Sequence, residues 1–250
     1  MSLLIKETEV KSILAKTGIP GADYCINPYT GCSHGCNYCY ASFMKRFTNH
    51  TEPWGNFVDV KINAPYILRK QLRRTQKGAI IISSVTDPYQ PLEVRYELTR
   101  KCLEELLPCQ FSVDILTKSP LVRRDIGLFK QFKDIEVGIT ITTNDEKMRK
   151  IFEPKAPPLE ARIETIKKLH EARIPTYVFI GPLLPMNPEI ICKKLADYVD
   201  YVFIDRMNYI TKTLSIYKRY RLDEWLNREF LDDIVERLEH GFRGKQVHVC

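Results

Sequence analysis

No stretch of this 250-residue chain approaches the roughly 20 consecutive apolar residues that a membrane helix requires. Met1 to Ile5 is too short for the apolar core of an export signal, so a cytoplasmic location without membrane contact is expected. Glycine is scarce, at 11 residues, and the 15 prolines are scattered, which removes collagen-like, low-complexity and wholly disordered readings. Neither charge sign dominates: 38 Lys and Arg stand against 31 Asp and Glu, a net of +7. That balance permits a polyanionic partner such as nucleic acid but suits plain solubility equally well.

What the chain has is enough apolar content, 44%, to close one sizeable core. A single domain over residues 1–250 is expected, with its core at about 19–208 and a helical extension at about 209–250. Short β-branched runs at 24–29, 79–83, 111–116, 135–141, 176–180 and 201–204 alternate with helical patterns, the rhythm of parallel strands joined by crossover helices. Near-continuous hydrophobicity in several runs predicts burial on both faces. Asn63-Ala64-Pro65 opens one helix and Gly78 closes it; 93–107, 124–132 and 188–198 fill other gaps, and Leu159, Ile163, Ile166 and Leu169 recur at helical spacing. Residues 222–240 read as a terminal helix ending at Gly241. Six strand-helix units are fewer than the eight that close a full barrel, so the expected fold is α/β, a partial, open (β/α)6 barrel with a C-terminal helix.

Polar residues follow the strands. Ser83, Ser84, Thr86 and Asp87 come after the second; Thr117, Lys118 and Ser119 after the third; Asp205, Arg206 and Asn208 after the last. In parallel α/β folds the carboxyl ends of strands share one face, so these groups should converge on one mouth.

Three of the eight cysteines crowd into Cys32-Ser-His-Gly-Cys36-Asn-Tyr-Cys39, directly after the first strand. Gly31 and Gly35 let the loop fold back so that the sulfurs can face one centre. In a chain this large without an export signal, a metal or redox site is favoured over a disulfide framework. Three soft thiolates suit an iron-sulfur cluster with one iron left open. A zinc site needs a fourth donor; no second Cys or His pair is evident, and His34 inside the loop is awkwardly placed to supply one. Cys25 reads as a buried core thiol and Cys250 as a mobile terminal one.

This loop, with Tyr38 before its last cysteine, resembles the signature of the radical S-adenosylmethionine (SAM) superfamily. Asn27-Pro-Tyr-Thr-Gly-Cys32 through Cys39-Tyr-Ala, then Thr86-Asp87-Pro88-Tyr89-Gln90-Pro91, then Thr117-Lys118-Ser119, more narrowly resembles its spore-photoproduct-lyase-like group, often labelled DNA repair photolyase. The resemblance implies a 4Fe-4S cluster on Cys32, Cys36 and Cys39, with S-adenosylmethionine chelating the open iron and cleaved reductively to a 5′-deoxyadenosyl radical. It implies Tyr38 near the adenine, Thr86 and Asp87 at the methionine amino group, and Lys118 with Ser119 at the carboxylate or ribose. Thr140 and Thr142 share a strand face that points toward the ribose or substrate, or else fills the barrel. The resemblance also implies an external electron donor such as a ferredoxin or flavodoxin. One position departs from the group: spore photoproduct lyase carries a hydrogen-donating cysteine where this chain has Ser84, a far poorer hydrogen-atom donor. The substrate is left open.

Other features have plain readings. Arg69, Lys70, Arg73, Arg74 and Lys77 form a basic stripe, the solvated face of an outer helix. Lys218, Arg219 and Arg221 with Tyr217 and Tyr220 mix basic and aromatic side chains as single-stranded nucleic acid prefers, or simply fall together by chance near a helix start. Pro154, Pro157 and Pro158 stiffen a loop ahead of Arg162, which is suited to a carboxylate or to a surface ion pair. Two rival classes remain: a non-catalytic iron-sulfur electron carrier and a zinc-stabilised nucleic-acid-binding module.

Overall fold

The computed structural model describes residues 2–250. The chain runs through β1 (Leu4–Thr8), β2 (Leu14–Lys16), β3 (Tyr24–Ile26) and β4 (Tyr29–Thr30), then the cysteine loop, then β5 (Phe57–Lys61). Helices and strands alternate from there: α1 (Ala64–Leu72), β6 (Ala79–Ile82), α2 (Glu93–Tyr96), α3 (Leu98–Leu106), β7 (Ser112–Thr117), α4 (Ile126–Phe129) and β8 (Ile135–Thr140). The second half comprises α5 (Glu146–Phe152), α6 (Leu159–Glu171), β9 (Thr176–Ile180), α7 (Pro188–Leu195), β10 (Tyr201–Ile204), α8 (Leu214–Arg219), α9 (Arg228–Gly241) and β11 (Gln246–Val249).

The main sheet has the order β11-β10-β9-β8-β7-β6-β3-β2. The six expected strands are all present and parallel to one another, β2 joins β3 antiparallel at one edge, and the sheet ends in β2 and β11 without closing on itself among the described residues. This is the open α/β barrel that the apolar runs predict. Alternation decides its two faces: Ile80 and Ile82 of β6 are fully buried in one core cluster with Leu68 and Leu72 of α1 and Leu103 and Leu106 of α3. The residues between them face the concave side.

Several expectations need correction. Beyond the terminal helix, β11 pairs parallel with β10, and the Cys250 N–H donates to the Ile204 carbonyl at 2.9 Å, so this end of the chain is held in the sheet. β1, β5 and β4 form a separate three-stranded sheet that carried no strong alternating signal. The helix expected over 93–107 breaks at Glu97, whose φ is 53°.

Aromatic rings floor the concave side at the amino ends of the strands. The Tyr177 hydroxyl donates to Asp114 at 2.8 Å and the Tyr201 hydroxyl to Glu136 at 2.6 Å. The two tyrosine rings stack with centroids 4.9 Å apart. Burial pushes the Asp114 carboxyl up to about 6 despite the Tyr177 bond.

Candidate active site

The cysteine loop lies at the carboxyl ends of the strands, and glycines fix its path. Gly31 has φ 90°, and a Cβ there would lie 2.5 Å from the Phe57 carbonyl oxygen. Gly35, inside the loop, packs against Gly55, where a Cβ would come within 2.5 Å of the Gly35 Cα. Gln90 clamps the loop to the segment after β6: its Oε1 accepts from the Ser33 N–H at 3.0 Å, while its Nε2 donates to the Gly31 carbonyl at 3.2 Å and to Thr86 Oγ1 at 3.0 Å. Thr86 in turn donates to the Gly31 carbonyl at 2.6 Å. Gln90 stands within the quoted motif, yet its role was invisible because its partners on the cysteine loop, Gly31 and Ser33, lie more than fifty positions away.

None of the three loop thiols is in a disulfide. Burial raises each of them. Cys36 is pushed up to about 12 with Lys118 opposing, and Cys32 is raised well above its ordinary value by burial, with Asp87 and the other two thiols adding to it. The Trp54 indole N–H is close enough to pull Cys39 down, although it lies outside good hydrogen-bond geometry and has no partner of its own. Ser33 Oγ, both ring nitrogens of His34 and Ser83 Oγ are likewise buried without a hydrogen bond. Three soft donors on one loop, near the Lys118 ammonium and several unpartnered buried polar groups, fit a sulfide-bridged iron cluster. His34 Nε2 stands 3.3 Å from Asp87 Oδ2, turned toward a carboxylate.

The strand ends converge as expected. Asp87 accepts from the Thr117 hydroxyl at 2.6 Å, the Tyr89 N–H at 2.9 Å and the Lys118 N–H at 2.9 Å. Its carboxyl is lowered: burial works against the charge, but His34, Thr117 and the Lys118 N–H outweigh it. Lys118 extends its ammonium to within 5.8 Å of the Tyr38 ring centre. Burial again opposes the charge, and Cys36 and Glu153 more than offset it. Ser119 caps the following 3-10 turn by accepting from the Leu121 N–H at 3.3 Å. Ser84 Oγ accepts from Asn27 Nδ2 at 3.2 Å, and the same amide lies 3.7 Å from the half-buried Cys25 sulfur.

Glu153, which no local pattern marked, organises the far wall. It accepts from the Tyr38 hydroxyl, from Thr142 Oγ1 at 3.0 Å and from Arg162 Nη2 at 2.5 Å. Burial resists its charge, but Arg162 and Lys118 bring the carboxyl down to about 2. Arg162 is fully buried, so the surface-pair reading is replaced by a buried one; its Nη1 also donates to the Thr140 carbonyl at 3.2 Å. Thr140 and Thr142 are both buried at this wall. Tyr217, expected on the surface with the nearby cations, is fully buried, whereas Arg69 of the basic stripe makes a two-pronged bond to Glu105 on the outside of the barrel.

An open parallel barrel with this loop at its mouth defines the class, and the radical SAM superfamily model matches residues 26–198. The chain belongs to that superfamily and is a radical SAM enzyme. Among individual proteins, an uncharacterized protein of Methanocaldococcus jannaschii is 39% identical over 206 residues, which cover 82% of this chain and 78% of that protein. A radical SAM Nalpha-GlyT isomerase of Pseudomonas phage M6 is 25% identical over 160 residues, covering 63% of this chain and 32% of the isomerase. The fold is that of spore photoproduct lyase complexed with dinucleoside spore photoproduct, at a TM-score of 0.73 and 14% identity over 98% of this chain and 82% of that one.

Proposed function

We propose that Cys32, Cys36 and Cys39 hold a 4Fe-4S cluster, that S-adenosylmethionine binds beside it, and that the enzyme abstracts hydrogen from a substrate at the mouth. When bound, the two groups supply reductive cleavage of the sulfonium to methionine and a 5′-deoxyadenosyl radical. The observation that carries this reading is Lys118, a half-buried ammonium near the Cys36 and Cys39 thiols that no carboxylate of the chain approaches within 4.0 Å among the described residues.

The chain's own residues then divide the work. Lys118 offers its charge to the cofactor carboxylate, and Asp87 orients it by accepting from its backbone N–H. Tyr38, fixed at its hydroxyl by Glu153, presents a flat ring to the adenine. Ser84, Thr140 and Thr142 line the space toward the ribose and substrate. Thr86 and Ser119 act on the loops, since their hydroxyls are engaged by Gly31 and Leu121.

A nucleic acid is the substrate class that the mouth favours. Tyr40 and Tyr209 stack at 6.2 Å with 44% and 51% of their surfaces exposed, and the Lys212 ammonium lies 5.5 Å from the Tyr209 ring centre. Such a shelf suits a base turned out of its strand. The decisive experiment is anaerobic reconstitution with iron and sulfide, addition of dithionite and S-adenosylmethionine, and chromatography for 5′-deoxyadenosine, without and with DNA or RNA. A cluster that forms yet yields no 5′-deoxyadenosine would reject the reading.

A further inference from the structure

Reductive chemistry at this site needs electrons delivered singly from outside, and one surface beside the cysteine loop is built to receive their carrier. A groove of about 780 Å³ runs between α5, α8 and the loop, lined by Asn37, Lys147, Lys150, Ile216, Arg219 and Tyr220 among others. We propose that this groove docks an acidic one-electron donor protein of the flavodoxin or ferredoxin type. The proposal rests on the cluster assignment above and adds where the donor binds.

Position is the first argument. Asn37 lies between Cys36 and Cys39, and the loop is stitched to α5 there: the Asn37 N–H donates to the Phe152 carbonyl and its Nδ2 to the Ile151 carbonyl, both at 2.8 Å. Asn37, the residue that follows Cys36, is thus shared by the groove lining and the cysteine loop. A carrier seated in the groove would contact the cysteine loop at Asn37, on a surface that does not include Tyr38 or Lys118.

Charge is the second. Lys147, Lys150 and Arg219 are exposed, and none is within 4.0 Å of a carboxylate among the described residues. The acidic lining residue, Glu146, is occupied: it accepts from Arg149 Nε at 2.7 Å and from the Leu159 N–H at 3.2 Å. The groove is therefore a field of one sign around an apolar and aromatic centre made by Ile151, Ile216 and Tyr220. Small, electrostatically steered contacts of this kind suit transient redox encounters, which need orientation and rapid release more than affinity. In the encounter the donor loses one electron and the cluster gains it, with no bond made or broken. A nucleic acid would also answer the charge, but its reacting group has to enter the mouth, and the Lys118 and Tyr38 wall is no part of this groove.

The test uses the reconstituted enzyme and the triple variant Lys147→Glu, Lys150→Glu, Arg219→Glu. Cluster bleaching is followed by stopped-flow absorbance with dithionite, with reduced flavodoxin and with reduced ferredoxin. Dithionite should bleach both proteins equally, whereas the donor proteins should reduce the variant about tenfold more slowly at low salt, and added salt should erase the difference. The variant Lys147→Arg, Lys150→Arg, Arg219→Lys should behave as the parent. A triple variant that accepts electrons from both donors at the parental rate overturns the docking site. Loss of single-stranded DNA binding with unchanged electron uptake overturns it too, in favour of a nucleic-acid surface. Failure of the parent to hold any cluster strikes instead at the reading of the thiols, and the groove proposal falls with it.

Discussion

Tyr38 and Glu153 lie 115 residues apart, yet the phenol of the first donates to the carboxylate of the second inside a fully buried site. Arg162 completes the set at 2.5 Å. Replacing Glu153 with Ala leaves Arg162 charged and unpaired, and should destabilise the fold by about 3–5 kcal/mol in urea unfolding. Replacing both with apolar residues of similar volume should cost less than either single change. Because the Glu153 carboxyl is lowered to about 2, its contribution is complete above the ordinary value of 4.5 and fades as pH falls toward 2. A Glu153→Ala protein as stable as the parent contradicts the account.

Lys118→Met should weaken S-adenosylmethionine binding about tenfold or more in anaerobic calorimetry, in line with loss of one charge-assisted bond, while iron content is unchanged. Cys36→Ala should remove the brown cluster itself. Unaltered affinity in the first variant would separate Lys118 from the cofactor.

Gly55→Ala tests the contact that shapes the cysteine loop. The added methyl meets the Gly35 Cα at 2.5 Å, so the loop has to move. Iron bound per chain after reconstitution should drop while the circular dichroism spectrum stays near the parent's, with a stability loss of about 1–3 kcal/mol. Full iron loading would show that the close approach is dispensable.

Asp114 predicts the opposite pH trend to Glu153. Its carboxyl rises from 3.8 to about 6 through burial, so the stability it contributes is fully present below 3.8 and lost as pH rises through 6. Asp114→Asn, which can still accept from Tyr177, should flatten the melting temperature between these values and raise it at neutral pH. A difference in melting temperature between parent and Asp114→Asn that does not change across that window rules the effect out.

The parts of the fold readable in advance were those encoded locally. Ile80-Ile81-Ile82 and Tyr177-Val178-Phe179 announce buried strands by β-branched and aromatic content, and Cys32, Cys36 and Cys39 announce their site by spacing. β11 was unreadable because Gln246 and His248 alternate with valines on a half-exposed edge strand with no apolar run. Glu97 was unreadable because helical periodicity continues on both sides of the break. At the site, Lys118 could be placed from its motif, whereas Gln90 and Glu153 owe their roles to partners brought close only by the βα windings. Arg162 was visible as a cation; that it is sealed from water is a fact of packing around α6 that no neighbouring residue announces.

The stacked tyrosines beneath the mouth turn the barrel into a blind cup. A group that reacts at the strand ends therefore has no exit through that floor and shares the mouth with Tyr40 and the cysteine loop. If the proposed cofactor sits deeper than the substrate, turnover should be governed by the sequence of departures as much as by the hydrogen transfer.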